Sequence, residues 1–176
     1  MMIQMDLTSL RDEYESHIDE YKVVEKHARS ILESSMERLG VDCKIESRVK
    51  DTESFLKKAL RLQSSEPMVT IRDKIGLRVV TVCSGDISTV SEELNSLFSV
   101  ISREDKAISL DPNQLGYLGI HIEAVIGSPT SSIGDAGLIE SCYNEVPFEI
   151  QLHTIAQSAW ASISHRLLYK PDDHPS

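Results

Sequence analysis

Two acids in segments that resemble β-strands are the residues best suited to chemistry in this chain. Asp73 precedes the β-branched run 75–82, and Glu149 lies 76 residues later in the strand-like run 145–152. Carboxylates are ligands that Mg²⁺ prefers, and arginines beside one of them suit phosphates or a base. The pattern predicts a sheet-based phosphoryl-transfer site in an enzyme that handles nucleotides.

Positive charge is concentrated in one segment. The 176 residues carry a net charge of −10, yet residues 44–78 hold nine Lys and Arg against five Asp and Glu, a local charge of +4. The acidic total argues against a general nucleic-acid binder, which needs a basic face. A compact basic segment favours a pocket for a small polyanion, and a solvated helix face is the alternative.

Length and composition predict one ordinary globular domain. The chain is 40% hydrophobic and 26% charged, with no apolar run long enough to span a membrane. Its first residues are neither basic nor followed by a long apolar stretch, so we expect no signal peptide and a cytoplasmic location. The three cysteines are widely spaced, which favours buried free thiols over disulfides or a zinc site.

Helical periodicity marks the N-terminal part and three later segments. Residues 7–39 predict one long helix or two short ones, with Gly40 as the stop. Residues 52–63 predict a helix started by Asp51 or Thr52. We expect a helix capped by Asp86 and a last helix, to about residue 169, opened by the capping box of Thr154 and Gln157.

Five segments have the composition or alternation of strands, and two polar segments predict loops. The predicted strands are 43–50, 75–82, 98–102, 118–126 and 145–152, and the loops are 109–116 and 127–137. Strands that alternate with helices favour an α/β (α+β) fold. We expect a mixed sheet of about five strands with helices packed against it, preceded by an N-terminal helix.

An ordered series of motifs lies between residues 44 and 170. It comprises Arg48-x-Lys50, Ser54 with Lys57, Asp73-x-x-Gly76-x-Arg78, Gly116-Tyr117-x-x-x-His121 and Glu149-x-Gln151. Together these motifs resemble the synthetase domain of the RelA/SpoT family, which makes guanosine polyphosphate alarmones. The resemblance implies a nucleotidyltransferase-like domain at 44–170, after a helical segment 1–43 and before a frayed tail 171–176.

The resemblance implies a Mg²⁺-dependent GTP pyrophosphokinase. Such an enzyme moves the β,γ-pyrophosphate of ATP onto the ribose 3′-hydroxyl of GDP or GTP, giving ppGpp or pppGpp and AMP. Asp73 and Glu149 are then the catalytic metal ligands. Glu149 is also placed to accept the hydroxyl proton.

The donor side follows from the same resemblance. Arg48 and Arg78 match the arginines that sandwich the adenine ring, a role that suits a flat and weakly hydrated cation. Lys50, Ser54 and Lys57 match positions that contact the ATP phosphates. A solvated helix face is the alternative for these three residues.

The acceptor side is implied by three residues. Tyr117 matches the aromatic residue on which the acceptor guanine stacks. His121 is expected to reach the acceptor phosphate or ribose, with a core histidine as the alternative. Gln151 shares a strand face with Glu149 and is expected to orient it or the acceptor.

Departures from the family pattern fall on the acceptor side. The loop 111–115 lacks the usual lysine, His153 stands where an arginine is usual, and Gly119 stands where a serine is usual. Two alternatives therefore stay open: an adenosine nucleotide or the 3′ end of tRNA as acceptor, or a degenerate nucleotide-binding regulator. Retention of both Asp73 and Glu149 argues against the regulator.

Longer relatives carry a hydrolase domain ahead of the synthetase. Residues 1–43 are too few to hold one, and the chain contains no His-Asp dipeptide. We therefore expect a small stand-alone synthetase without hydrolase activity. In that family such proteins often form homotetramers.

Overall fold

The computed structural model describes residues 6–105, 119–127 and 143–168, and only the backbone at 161 and 163–168. Its elements in chain order are α1 (Leu7–Ser16), α2 (Ile18–Leu39), β1 (Cys43–Val49), α3 (Thr52–Leu62), α4 (Pro67–Thr70), β2 (Ile75–Thr81), α5 (Ser84–Leu97), β3 (Ser99–Asp105), β4 (Ile120–Val125), β5 (Phe148–Thr154) and α6 (Ile155–Leu168). The predicted loop 109–116, most of 127–137 and the tail 171–176 lie outside the described residues.

The five strands form one mixed sheet in the order β1-β2-β5-β4-β3. The central pair β2 and β5 is parallel, and the other three pairs are antiparallel. The mixed five-stranded sheet predicted from the sequence is confirmed. Because β2 and β5 run in the same direction, the residues that precede or open these strands lie at the same end of the sheet.

One face of the sheet is apolar and packs against helices. The buried side chains of β2, β4 and β5 join those of α1, α2, α3 and α5 in one hydrophobic core. Residues on the opposite face of these strands are mostly half-buried and polar. This alternation leaves one sheet face available for chemistry.

The N-terminal segment is two helices that belong to the core. His17 separates α1 from α2, so the two-helix form of the prediction is confirmed. Gly40 ends α2 with φ of 67°, a left-handed conformation that favours glycine. None of the helices in the described segments is both long and apolar enough to cross a membrane.

Helix α1 braces the turn that enters α3. Asp51, one of the two residues predicted as the cap, caps α3 by accepting a hydrogen bond from the backbone N of Ser54 at 2.9 Å. The ring of Tyr14 stacks on Phe55, with 4.0 Å between centroids, and its hydroxyl donates to the backbone O of Lys50 at 2.7 Å. Burial raises the pKa of Tyr14, so the phenol stays a donor.

Two local predictions are wrong. Helix α5 begins at Ser84 with Cys83 as its N-cap, so Asp86 lies inside the first turn and does not cap it. Its carboxylate is placed there to interact with the helix dipole.

The prediction of buried thiols also fails for Cys83, which is exposed at the end of β2, and for Cys43, which is half-buried on edge strand β1. Both are free, as expected, and Cys142 is not among the described residues.

The capping box of the last helix is confirmed. The side-chain Oε1 of Gln157 accepts from the backbone N of Thr154 at 2.9 Å, and the backbone N of Gln157 donates to Oγ1 of Thr154 at 3.2 Å. These reciprocal bonds satisfy two donors at the start of α6. Strand β5 therefore leads directly into a helix.

Candidate active site

Strand register gathers the predicted polar residues on the open sheet face. Glu149 of β5 pairs with Gly76 of β2, and Gln151 pairs with Arg78. On the other side of β5, Gln151 pairs with His121 of β4. Paired residues on neighbouring strands point to the same face, so these side chains converge.

A hydrogen-bonded chain links the converging side chains. The Nδ1 of His121 donates to Oε1 of Glu149 at 2.8 Å, and Nε2 of Gln151 donates to Oε2 of Glu149 at 3.0 Å. Nη2 and Nε of Arg78 donate to Oε1 of Gln151 at 3.2 and 3.4 Å. Gln151 therefore connects the arginine to the acid and fixes the orientation of both.

These contacts keep the Glu149 carboxyl ionised although it is mostly buried. Burial raises its pKa, but the hydrogen bond and charge of His121 and the hydrogen bond from Gln151 outweigh burial. The pKa of Glu149 therefore lies below the usual value for a glutamate. An ionised and partly dehydrated carboxylate is suited to hold a cation or to accept a proton.

Asp73 is held by two lysines at the start of β2. Nζ of Lys50 lies 3.0 Å from Oδ2, and Nζ of Lys58 lies 2.8 Å from Oδ1. Burial raises the pKa of Asp73, but the hydrogen bonds and charges of Lys58 and Lys50 outweigh it and lower the pKa below its usual value. Lys74 fixes the preceding turn: its buried Nζ donates to backbone O atoms of Met68 and Ile71.

Two clefts meet at these acids. The first, which we call the arginine cleft, has a volume of about 260 Å³ and is lined by Arg48 and Arg78 as well as Asp73 and Glu149. The second, which we call the β4 cleft, has a volume of about 430 Å³ and is lined by the same two acids and His121. Asp73 and Glu149 therefore stand where the contents of the two clefts meet.

The paired acids fit a hard divalent cation. Within residues 6–105, 119–127 and 143–168, no three His, Cys, Asp or Glu side chains converge on one point. A small divalent cation that keeps several waters and binds substrate phosphates needs only one or two carboxylates. Oδ1 of Asp73 is buried and faces Nζ of Lys58 at 2.8 Å, and because a carboxylate oxygen accepts more than one contact, it retains a lone pair for a cation.

Six of the predicted site residues line these clefts: Arg48, Asp73, Arg78, His121, Glu149 and Gln151. Lys50 contacts Asp73 but lines neither cleft. Ser54 and Lys57 are exposed on α3 and line neither cleft. Lys58, the second lysine that reaches Asp73, was not among the predicted site residues. Its spacing from Ser54 was a usable signal, since four residues are about one helical turn. Tyr117 lies outside the described residues.

Three further charged residues that line the β4 cleft were not anticipated, one of them Glu104 of β3. Glu123 of β4 pairs in register with Glu149, and Arg72 precedes Asp73. Both line the β4 cleft. Only the alternation of β4 pointed to Glu123, and nothing in the sequence connected it to Arg72.

Comparison with known proteins agrees with the geometry. Residues 47–174 match the model of a family described as a region found in RelA / SpoT proteins. The chain is 30% identical over 162 residues to the GTP pyrophosphokinase YjbM of Bacillus subtilis (strain 168), across 89% of this chain and 70% of that protein.

Solved structures show the same fold. The crystal structure of small alarmone synthetase 1 from Bacillus subtilis aligns with a TM-score of 0.71 and 26% identity, covering 90% of this chain and 80% of that one. The structure of that synthetase bound to its product pppGpp aligns with a TM-score of 0.69 and 25% identity, covering 92% and 84%.

Proposed function

The chain belongs to the RelA/SpoT family, and on that premise we propose that it transfers the β,γ-pyrophosphate of ATP to the ribose 3′-hydroxyl of GDP or GTP. The bond between the α,β-bridging oxygen and the β-phosphorus breaks, and a bond from the 3′-oxygen to that phosphorus forms. AMP leaves, the hydroxyl proton is released, and the product is ppGpp or pppGpp. The name of the relative YjbM and the product-bound synthetase support this activity.

The observation that carries the proposal is the position of Asp73 and Glu149 on the border of both clefts. A transfer reaction needs the donor and the acceptor on opposite sides of the group that moves. With ATP in the arginine cleft and the acceptor in the β4 cleft, the attacked phosphorus lies beside the two acids.

The arginine cleft suits the donor nucleotide. Arg48 and Arg78 lie on neighbouring strands and line this cleft together. Guanidinium groups stack on aromatic rings, which fits the adenine. Lys50 and Lys58 both contact Asp73, where the two clefts meet, so we assign to them the ATP phosphates that reach this border. Lys58 lines the β4 cleft, and we assign it this role in place of the exposed Lys57.

We propose that the divalent cation is Mg²⁺ and that Asp73 and Glu149 hold it. When bound, Mg²⁺ neutralises the phosphate charge that builds up during transfer. The residues contribute position: Gln151 and His121 orient Glu149, while Lys50 and Lys58 orient Asp73. These contacts hold the acids ready before substrate arrives.

The proton of the acceptor hydroxyl is assigned to Glu149. Its lowered pKa keeps it ionised at neutral pH, and it lines the cleft assigned to the acceptor. His121 donates to Oε1 of the Glu149 carboxylate and stabilises the orientation of this side chain. Tyr117 remains the proposed stacking residue for the guanine.

Product analysis tests the proposal. The protein is incubated with Mg²⁺, ATP labelled on the γ-phosphate, and GDP, GTP, ADP or uncharged tRNA, and the products are separated by chromatography. We expect label in ppGpp and pppGpp with an equal amount of AMP. Label only in an adenosine nucleotide or in tRNA would overturn the acceptor, and absence of transfer in every reaction would overturn the enzyme. Light scattering tests the tetramer implied by the family resemblance.

A further inference from the structure

The β4 cleft holds more negative than positive charge. Its lining includes the four acids Asp73, Glu104, Glu123 and Glu149, and its lysine and arginine are Lys58 and Arg72. Among the described residues of this cleft, each of these two cations faces a carboxylate: Lys58 faces Asp73 at 2.8 Å, and Arg72 faces Glu123 at 3.5 Å. A polyphosphate that enters must compete for them.

Glu123 and Arg72 form an ion pair that includes neither of the catalytic acids. Nη1 of Arg72 approaches Oε1 of Glu123, and Oγ of Ser102 lies 3.5 Å from Oε2. The Glu123 side chain is only 19% exposed, whereas Arg72 is 51% exposed. The acid is therefore fixed on the strand, and the arginine is the partner able to move.

The position of Arg72 in the β4 cleft indicates which ligand its guanidinium would bind if Glu123 were absent. Arg72 is adjacent in sequence to Asp73 and lines the cleft assigned to the acceptor. A guanidinium is the side chain that best matches phosphate oxygens, because its planar donors bind them in pairs. In this chain Nη1 of that guanidinium faces the carboxylate of Glu123 at 3.5 Å.

We propose that Glu123 is a specificity-determining residue. By holding Arg72, it withholds that guanidinium from the 5′-phosphates of the acceptor and lowers the preference for acceptors with longer phosphate chains. The inference rests on the proposed function, since it concerns the same reaction with guanosine nucleotides. It assigns to Glu123 a role in acceptor choice and none in the transfer step.

Electrostatics gives the direction of the effect. Each additional phosphate of the acceptor brings negative charge into a cleft whose arginine is already paired with a carboxylate. The cleft carboxylates therefore repel that phosphate more than Arg72 attracts it. Replacing Glu123 with neutral glutamine keeps the side-chain size and releases Arg72. The resulting increase in kcat/KM should then grow with the number of phosphates on the acceptor.

The test is the steady-state kcat/KM for GMP, GDP and GTP at saturating ATP, in wild type and in Glu123→Gln. We expect kcat/KM to rise about fivefold for GTP and less than about twofold for GMP, with GDP between them. Glu123→Asp, which keeps the charge, should retain the wild-type order. Glu92→Gln is the matched control, because it removes one exposed carboxylate from α5 and lines neither cleft.

The role of Arg72 is tested in a double-mutant cycle. In an Arg72→Gln background, Glu123→Gln should change the ratio of GTP to GMP less than about twofold, because there is no guanidinium to release. An equal effect on all three acceptors, an unchanged ratio, or a full effect without Arg72 would overturn the inference. Wild type that uses no guanosine nucleotide would instead overturn the proposed function, so the two failures are distinguishable.

Discussion

Glu149 of β5 accepts a hydrogen bond from His121 of β4, with 2.8 Å between Oε1 and Nδ1, at the border of the two clefts. This contact counteracts the burial of the carboxylate and lowers its pKa. His121 was expected either at the acceptor or in the core. The structure gives it a further contact, with the acid itself.

Removal of His121 should shift the pH dependence of the reaction. Without its hydrogen bond and charge, burial dominates and the pKa of Glu149 rises, so the carboxylate protonates at a higher pH. The acid limb of the kcat profile of His121→Ala should therefore move to higher pH than in wild type. His27→Ala on α2, whose side chain lines neither cleft, is the control. An acid limb at the wild-type position would show that His121 does not set the ionisation of Glu149.

Loss of either cleft arginine should weaken ATP binding. Arg48→Ala and Arg78→Ala each remove a cation assigned to the adenine, and we expect about a tenfold loss of affinity for a non-hydrolysable ATP analogue. Titration calorimetry measures it, with the exposed Arg61→Ala on α3 as the control. Wild-type affinity in both variants would assign the arginine cleft to another ligand.

The neighbouring lysines of α3 offer a matched pair. Lys58 contacts Asp73, whereas Lys57 is exposed and lines neither cleft. Lys58→Ala should lower kcat/KM for ATP by about tenfold or more, and Lys57→Ala should change it less than about twofold. Steady-state kinetics decide between them. The reverse order would restore the assignment made from the sequence.

Gly119 and His153 should be coupled in stability. His153 is 1% exposed, and a Cβ at Gly119 would overlap its imidazole. Gly119→Ala should lower the free energy of unfolding by about 1–3 kcal/mol, because the buried ring has little room to move. Urea denaturation measures this value, and in a His153→Ala background most of the cost should disappear, leaving the tight contact of the new Cβ with the backbone O of Leu152 at 3.0 Å. A cost that persists there undiminished would mean that the imidazole is not the cause.

Local signals predicted the starts of two helices that bear on the site. Asp51 capped α3, and Thr154 with Gln157 opened α6, because these contacts lie within three residues along the chain. Asp86 shows the limit of such signals: this plausible cap residue is the third residue of α5, and Cys83 is the N-cap. The type of side chain alone does not determine at which residue the helix begins.

Contacts between distant segments were less accessible from the sequence. The motif series identified Asp73 and Glu149, but the Arg72–Glu123 pair depends on how β2 and β4 are placed around β5. To identify Lys58, one must know which face of α3 points toward Asp73, and the sequence of two adjacent lysines does not give this orientation. The pairing of His153 with Gly119 likewise depends on the packing of β5 against the chain that enters β4.

The most direct test of the account is the rate of AMP and ppGpp formation from ATP and GDP by wild type, Asp73→Asn and Glu149→Gln at saturating Mg²⁺. Each substitution removes one negative charge at nearly constant volume. We predict that both variants keep the wild-type circular dichroism spectrum and lose at least about a thousandfold in kcat, as expected when an electrostatic element of the transition state is removed. Turnover within about threefold of wild type in either variant would contradict the assignment of these acids to the transfer site.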